Sequence, residues 1–223
     1  MWIQKNDTIL FQGDSITNAF RMPQEISNAY QMGAGWAMIC AARLLAERPH
    51  DGLTVLNRGV SGNTVEALSD RWQADCIDLK PTVVSILVGV NETLRIKQDP
   101  SRQRSPQAYK SAYHDLLLRT RDALPTVRLI LCEPFLLPVG IITPSDVDHL
   151  RARATMVREL AETFGALFVP LQDRFDQASQ EAPADHWLFD GIHPHAPGQW
   201  VIARAWLNAI NGGGTPDNHP EMK

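Results

Sequence analysis

The run Val83-Val84-Ser85-Ile86-Leu87-Val88, continuing into Gly89-Val90-Asn91-Glu92, decides the fold class. It is apolar on nearly every residue and rich in β-branched side chains, with no alternation of polar and apolar positions. A strand of that kind is covered on both faces, as in a parallel sheet between helices. Working outward, four more short apolar runs read as strands: Thr8–Phe11, Thr54–Leu56, Leu129–Leu131 and Leu167–Val169. Helical patterns separate them. Ser105-Pro106 supplies an N-cap and a proline at the first helical position, followed by Tyr109, Tyr113, Leu116, Leu117, Thr120 and Leu124 at helical spacing. Thr143-Pro144 with Asp146 has the form of a capping box, and Val147, Leu150, Ala154, Val157, Ala161 and Phe164 then step by three and four until Gly165. A last helix is expected from about Pro197 to Ile210.

Strands alternating with helices imply right-handed crossovers and parallel pairing. The expected architecture is α/β: a three-layer α/β/α sandwich with a five-stranded parallel sheet in the flavodoxin-like order 2-1-3-4-5. Residues 1–210 form the expected single domain, and 211–223, almost without apolar residues, a flexible C-terminal tail. Gly33-Ala34-Gly35 imitates a dinucleotide fingerprint, but it follows a loop and not a strand, so it reads as a helix entry.

Composition removes several function classes. The chain has 223 residues, 44% apolar and 21% charged, which excludes disordered and coiled-coil readings. Its 25 acidic against 21 basic residues give a net charge of -4, without the basic excess that nucleic acid demands. No apolar stretch approaches the roughly 20 residues of a membrane span. The N-terminal stretch MWIQKNDTILF lacks a signal-peptide core. Three separated cysteines, Cys40, Cys76 and Cys132, read as reduced core thiols and place the chain in the cytoplasm.

Four polar clusters follow the expected strands: Gly13-Asp14-Ser15, Asn57 to Thr64, Gly89 to Glu92, and Asp185 to His195. In a parallel sheet these loops emerge on one edge, so distant positions can meet in one cleft. Acyl transfer needs such a meeting. A serine hydroxyl becomes a nucleophile when an imidazole takes its proton. A carboxylate must orient that imidazole, and donors must face the oxygen that turns negative. Ser15, His193, Asp190, Gly62 and Asn91 are the candidates.

These blocks resemble the SGNH hydrolases, also called GDSL esterases. GDS at Gly13–Ser15, the glycine of SGNT at Gly62, GVN at Gly89–Asn91 and DGIHP at Asp190–Pro194 appear in the family's order, over a resemblance running from Phe11 to Ile210. The resemblance implies Ser15 as nucleophile, His193 as base and Asp190 as its partner. It implies an oxyanion hole from the Ser15 and Gly62 N–H groups and the Asn91 amide. The residues themselves show no motif that calls for a cofactor or a metal. One departure is Glu92, where the family usually has aspartate. The stretches NRGVSGNTV, GVNETLR, CEPFLLPVG and DGIHPHAPGQWVIARAWL are similar to a bacterial subgroup of intracellular acetylxylan and acetyl-xylooligosaccharide esterases, which implies a small acetylated sugar as substrate.

Other readings stand beside this one. Asp185, His186, Asp190, His193 and His195 are metal-ligating types, but no partner motif accompanies them. Within the same fold, a lysophospholipase or acyl-thioesterase would differ in acyl length, and a carbohydrate-binding module would not need the full catalytic set. The segment Phe135-Leu136-Leu137-Pro138-Val139-Gly140-Ile141-Ile142 is expected as an exposed apolar patch that meets a second subunit in a homo-oligomer and narrows the site to short acyl groups.

Overall fold

The computed structural model describes residues 2–22, 31–99 and 105–212, so most of the expected tail lies outside the described residues. The strands are β1 (Thr8–Gly13), β2 (Thr54–Asn57), β3 (Val83–Leu87), β4 (Arg128–Cys132) and β5 (Leu167–Val169). All pair in parallel, in the order β2-β1-β3-β4-β5. The helices are α1 (Ser15–Asn18), α2 (Trp36–Glu47), α3 (Val65–Asp75), α4 (Val90–Gln98), α5 (Pro106–Ala123), α6 (Pro144–Phe164), α7 (Gln172–Glu181), α8 (Ala184–Trp187) and α9 (Ala196–Ile210).

The sheet divides two cores. Ile9 and Phe11 point into one, with Trp36, Cys40, Phe135, Phe175 and Trp206. Leu10 points into the other, with Leu68, Trp72, Tyr113, Leu117 and Leu129. Each such side chain contributes about 1.5–3 kcal/mol on burial. Two of the buried tryptophans find acceptors: Trp206 Nε1 donates to Ser85 Oγ at 3.0 Å, and Trp72 Nε1 to Thr120 Oγ1 at 2.9 Å. Serine in the middle of an apolar strand is thus the acceptor for a tryptophan on α9.

The helix signals form as expected. Ser105 Oγ accepts from Ala108 N–H, Thr143 and Asp146 close a capping box, and α6 ends at Gly165. Gly35 is the N-cap of α2, the helix entry expected there. Among the described residues no helix is long and apolar enough to cross a membrane. Cys40, Cys76 and Cys132 are free and buried.

One expectation is overturned. Phe135, Leu136, Leu137 and Ile142 are buried in this chain's own core and do not form an exposed patch. Phe135 stacks on Phe175 of α7 with centroids 4.3 Å apart. Gln172 exchanges both amide bonds with the Leu136 backbone, at 3.1 and 3.0 Å, and Glu133 Oε2 accepts from the Leu171 and Gln172 N–H groups. Pro138, Gly140 and Ile141 of the stretch are exposed and Val139 is partly buried, while its large side chains face inward, so this loop gives no reason for a subunit contact.

Candidate active site

Parallel pairing puts the carboxyl ends of β1 and β3 side by side, with Gly13 opposite Leu87. A Cβ at Gly13 would lie 2.3 Å from the Leu87 carbonyl oxygen and 2.6 Å from Thr17 Oγ1, so only glycine lets β1 turn there. Asp14 then caps the turn, its Oδ1 accepting from Ile16 N–H at 3.0 Å, and Ser15 opens α1.

Ser15 Oγ meets His193 Nε2 at 2.8 Å across 178 residues of sequence. His193 Nδ1 meets Asp190 Oδ2 at 2.7 Å, and Asp190 Oδ1 accepts from the Ile192 and His193 N–H groups at 2.9 and 2.7 Å. Burial would raise the Asp190 carboxyl, but these N–H groups and the ring outweigh it and hold the carboxyl below its ordinary value. An ionised carboxylate only accepts, so the imidazole proton sits on Nδ1 and Nε2 is free to accept the serine proton. The loop is pinned at its base by the Leu188–Pro194 bridge and by His195 N–H on the Trp187 carbonyl at 2.9 Å.

The second and third blocks are tied to each other. Asn91, in the first turn of α4, donates from Nδ2 to the Asn63 carbonyl at 2.9 Å. Glu92 Oε1 accepts from Val65 N–H at 2.8 Å, and Arg95 donates to the Gly62 carbonyl at 3.2 Å. Arg71 of α3 reaches Asn63 Oδ1, the Arg58 carbonyl, Asp75 and the Gly13 carbonyl, so one guanidinium braces the turns after β1 and β2. Gly62 lies exposed with φ of 78°.

A serine hydroxyl on an imidazole that is itself on a carboxylate, beside a backbone turn and an amide, is an assembly for attack on a carbonyl carbon. The model of the GDSL-like lipase/acylhydrolase family matches residues 11–201. The chain belongs to this family. It is a carboxylic ester hydrolase of GDSL type.

This family member is 32% identical over 219 residues to an acetylxylan esterase of Geobacillus stearothermophilus, covering 94% of this chain and 96% of the other. The solved structure of that organism's acetylxylan esterase Axe2 superposes with a TM-score of 0.86 at 30% identity, over 97% of this chain and 98% of that one. LAE5, an α/β hydrolase from the metagenome of Lake Arreo, gives 0.86 at 32% identity, over 95% and 98%.

Of the sequence candidates in this GDSL chain, Ser15, His193 and Asp190 are brought into hydrogen-bond contact, and Gly62 and Asn91 sit on neighbouring, cross-linked turns. The other metal-type residues do not converge on them. The His186 ring meets Trp187 edge-on, and the His195 ring tilts against Phe189. Phe189, which the sequence reading passed over, stacks on His193 at 5.6 Å with planes 19° apart and is half exposed. No periodic signal marks such a residue; only its place next to Asp190 does.

Proposed function

We propose that this GDSL hydrolase is a serine esterase that removes short acyl groups, acetyl above all, from sugar hydroxyls of xylose-type oligosaccharides in the cytoplasm. The observation that carries the reading is the continuous chain from Ser15 Oγ through His193 to Asp190, at 2.8 and 2.7 Å. His193 Nε2 takes the Ser15 proton as Oγ bonds to the acetyl carbon, and the carbonyl electron pair moves onto oxygen. The Ser15 and Gly62 N–H groups and the second N–H of the Asn91 amide serve that oxygen. Asp190 holds the imidazolium that forms. The tetrahedral intermediate collapses, His193 returns the proton to the sugar oxygen, and the deacetylated sugar leaves an acetyl-serine. Water, deprotonated by the same imidazole, releases acetate and restores Ser15.

The acetyl-sugar reading is supported by the match to an acetylxylan esterase along 94% of the chain, and by catalytic mutants of Axe2 that alter one serine and one aspartate. Turnover of nitrophenyl acetate and nitrophenyl decanoate, followed by acetate release from acetylated xylooligosaccharides, tests it. Acetyl should be favoured and Ser15→Ala should leave no more than a trace. Equal rates on the two nitrophenyl esters would replace the short-acyl reading with a lipase-like one.

A further inference from the structure

Beneath the proposed oxyanion turns lies a group of ionisable side chains that the mechanism above does not use. Asp14 is buried, and its Oδ2 has no hydrogen-bond partner. Glu92 is half-buried as a residue, but its Oε2 reaches no solvent and also has no partner. Each carboxyl spends its other oxygen on a backbone N–H that shapes the site: Ile16 behind Ser15, and Val65 behind the Gly62 turn. The two lie within electrostatic reach of one another.

The charges that face them come from several elements. Arg153 of α6 donates to Thr93 Oγ1 at 3.0 Å and attracts Glu92, while Glu66 in the first turn of α3 repels it. Tyr109 and Tyr113 of α5 are held in their neutral forms by burial, and both feel Glu92. The Arg153 guanidinium acts on Glu92, while Arg71 and Arg95 spend hydrogen bonds on the Gly13 and Gly62 carbonyls of the adjoining turns. A buried carboxylate oxygen without a donor is unfavourable, and two carboxylates close together do not ionise independently.

We propose that Asp14 and Glu92 are positioning residues: Asp14 sets the turn bearing Ser15, Glu92 fastens the Gly62 turn to the Asn91 helix, and one of these two carboxyls, each with a buried oxygen that no donor reaches, is neutral in the active enzyme. Burial, against the pull of their N–H partners, pushes both groups up to about 7. The inference rests on the esterase reading above for its kinetic consequence. Losing that proton places a second negative charge under a site where negative charge must develop, so kcat declines on the alkaline side.

The test is the pH dependence of kcat and KM for the wild type, Asp14→Asn, Glu92→Gln and Glu92→Ala, with infrared spectra of the same proteins. In the wild type kcat should fall roughly threefold to tenfold between about pH 7 and 9 while KM changes little. Glu92→Gln keeps an acceptor for Val65 and should lose that alkaline limb. Glu92→Ala removes the fastening as well and should lower kcat at every pH. The carbonyl stretch of a protonated carboxyl should be present in the wild type near pH 6, disappear by about pH 9, and be altered in Glu92→Gln and Asp14→Asn. An alkaline limb unchanged in Glu92→Gln, or the absence of the infrared band, overturns the pair. If the wild type hydrolyses no ester, the esterase reading falls by itself, and the band still decides the pair in the resting protein.

Discussion

The two flanks of Ser15 are built on opposite plans. On the histidine side nothing is unsatisfied: Asp190 takes three donors, the imidazole has a partner at each nitrogen, and Asp190 and His193 are each 33% exposed. On the side of the proposed oxyanion donors the turns are cross-linked by Asn91, Glu92 and Arg95, while two carboxyl oxygens are buried without partners. The first flank is local in sequence and assembles with its own loop. The second joins turns from three strands, and its order is maintained against the cost of confined charge. A site built this way is expected to lose much when the histidine side is cut and to lose by degrees when the oxyanion side is altered.

The largest effect expected is at Asp190. Asp190→Asn keeps the shape of the loop but inverts the preferred tautomer of His193, and kcat should fall by roughly 10⁴ with the fold intact. A loss below tenfold in steady-state kinetics would mean that the two flanks are not as unequal as their bonding says.

Asn91→Ala removes both the proposed donor and the bond to Asn63. It should lower kcat by roughly 10²–10³ with little change in KM. A change confined to KM would make Asn91 a substrate contact and move the donor elsewhere.

Gly62→Ala is milder. A Cβ there meets nothing within 4 Å, so the penalty is the positive φ alone, about 1–2 kcal/mol. The turn should tilt and kcat fall by about tenfold, with a lowering of Tm by roughly 2–8 °C. Calorimetry and kinetics on one preparation separate the two quantities.

The smallest effect separates the flanks by stability and not by rate. Glu92 has an ordinary value of 4.5 and is raised to about 7, so the folded state binds the extra proton more tightly than the unfolded chain. That stabilisation is complete below the unfolded value and is lost as pH rises through about 7. Asp190 runs the other way: its carboxyl is depressed, so its contribution is present above the unfolded value and lost as pH falls through the folded one. In thermal unfolding from about pH 5 to 8, Glu92→Gln should show a shallower decline of Tm than the wild type. The curves should diverge by several degrees at the alkaline end. Parallel curves would show that Glu92 does not titrate in the folded protein.

Much of this was legible without coordinates, for identifiable reasons. The continuous apolar run Val83–Val88 forms β3, with pairing ending at Leu87, because a strand covered on both faces has no polar side to alternate. Thr143, Asp146 and Gly165 mark α6 because caps are satisfied within a few residues. The Phe135–Ile142 segment misled because an apolar loop reads the same whether it meets a second chain or its own. Phe175 and Gln172, more than 35 residues away, take up its side chains and backbone.

The sequence by itself determined the parts whose physics is local: strand and helix identity, the glycine turn before Ser15, and the Asp190-to-His193 spacing that lets one carboxylate hold both a backbone and a ring nitrogen. Tertiary structure alone decided what depends on distant chain segments meeting. It set the 2.8 Å approach of Ser15 to His193, the attachment of Asn91 to Asn63, the inward packing of the loop after β4, and the confinement of Asp14 with Glu92. Composition and spacing set which groups are available. Only the packing of helices over both sheet faces sets which of them lose water, and with it which charges the fold must neutralise.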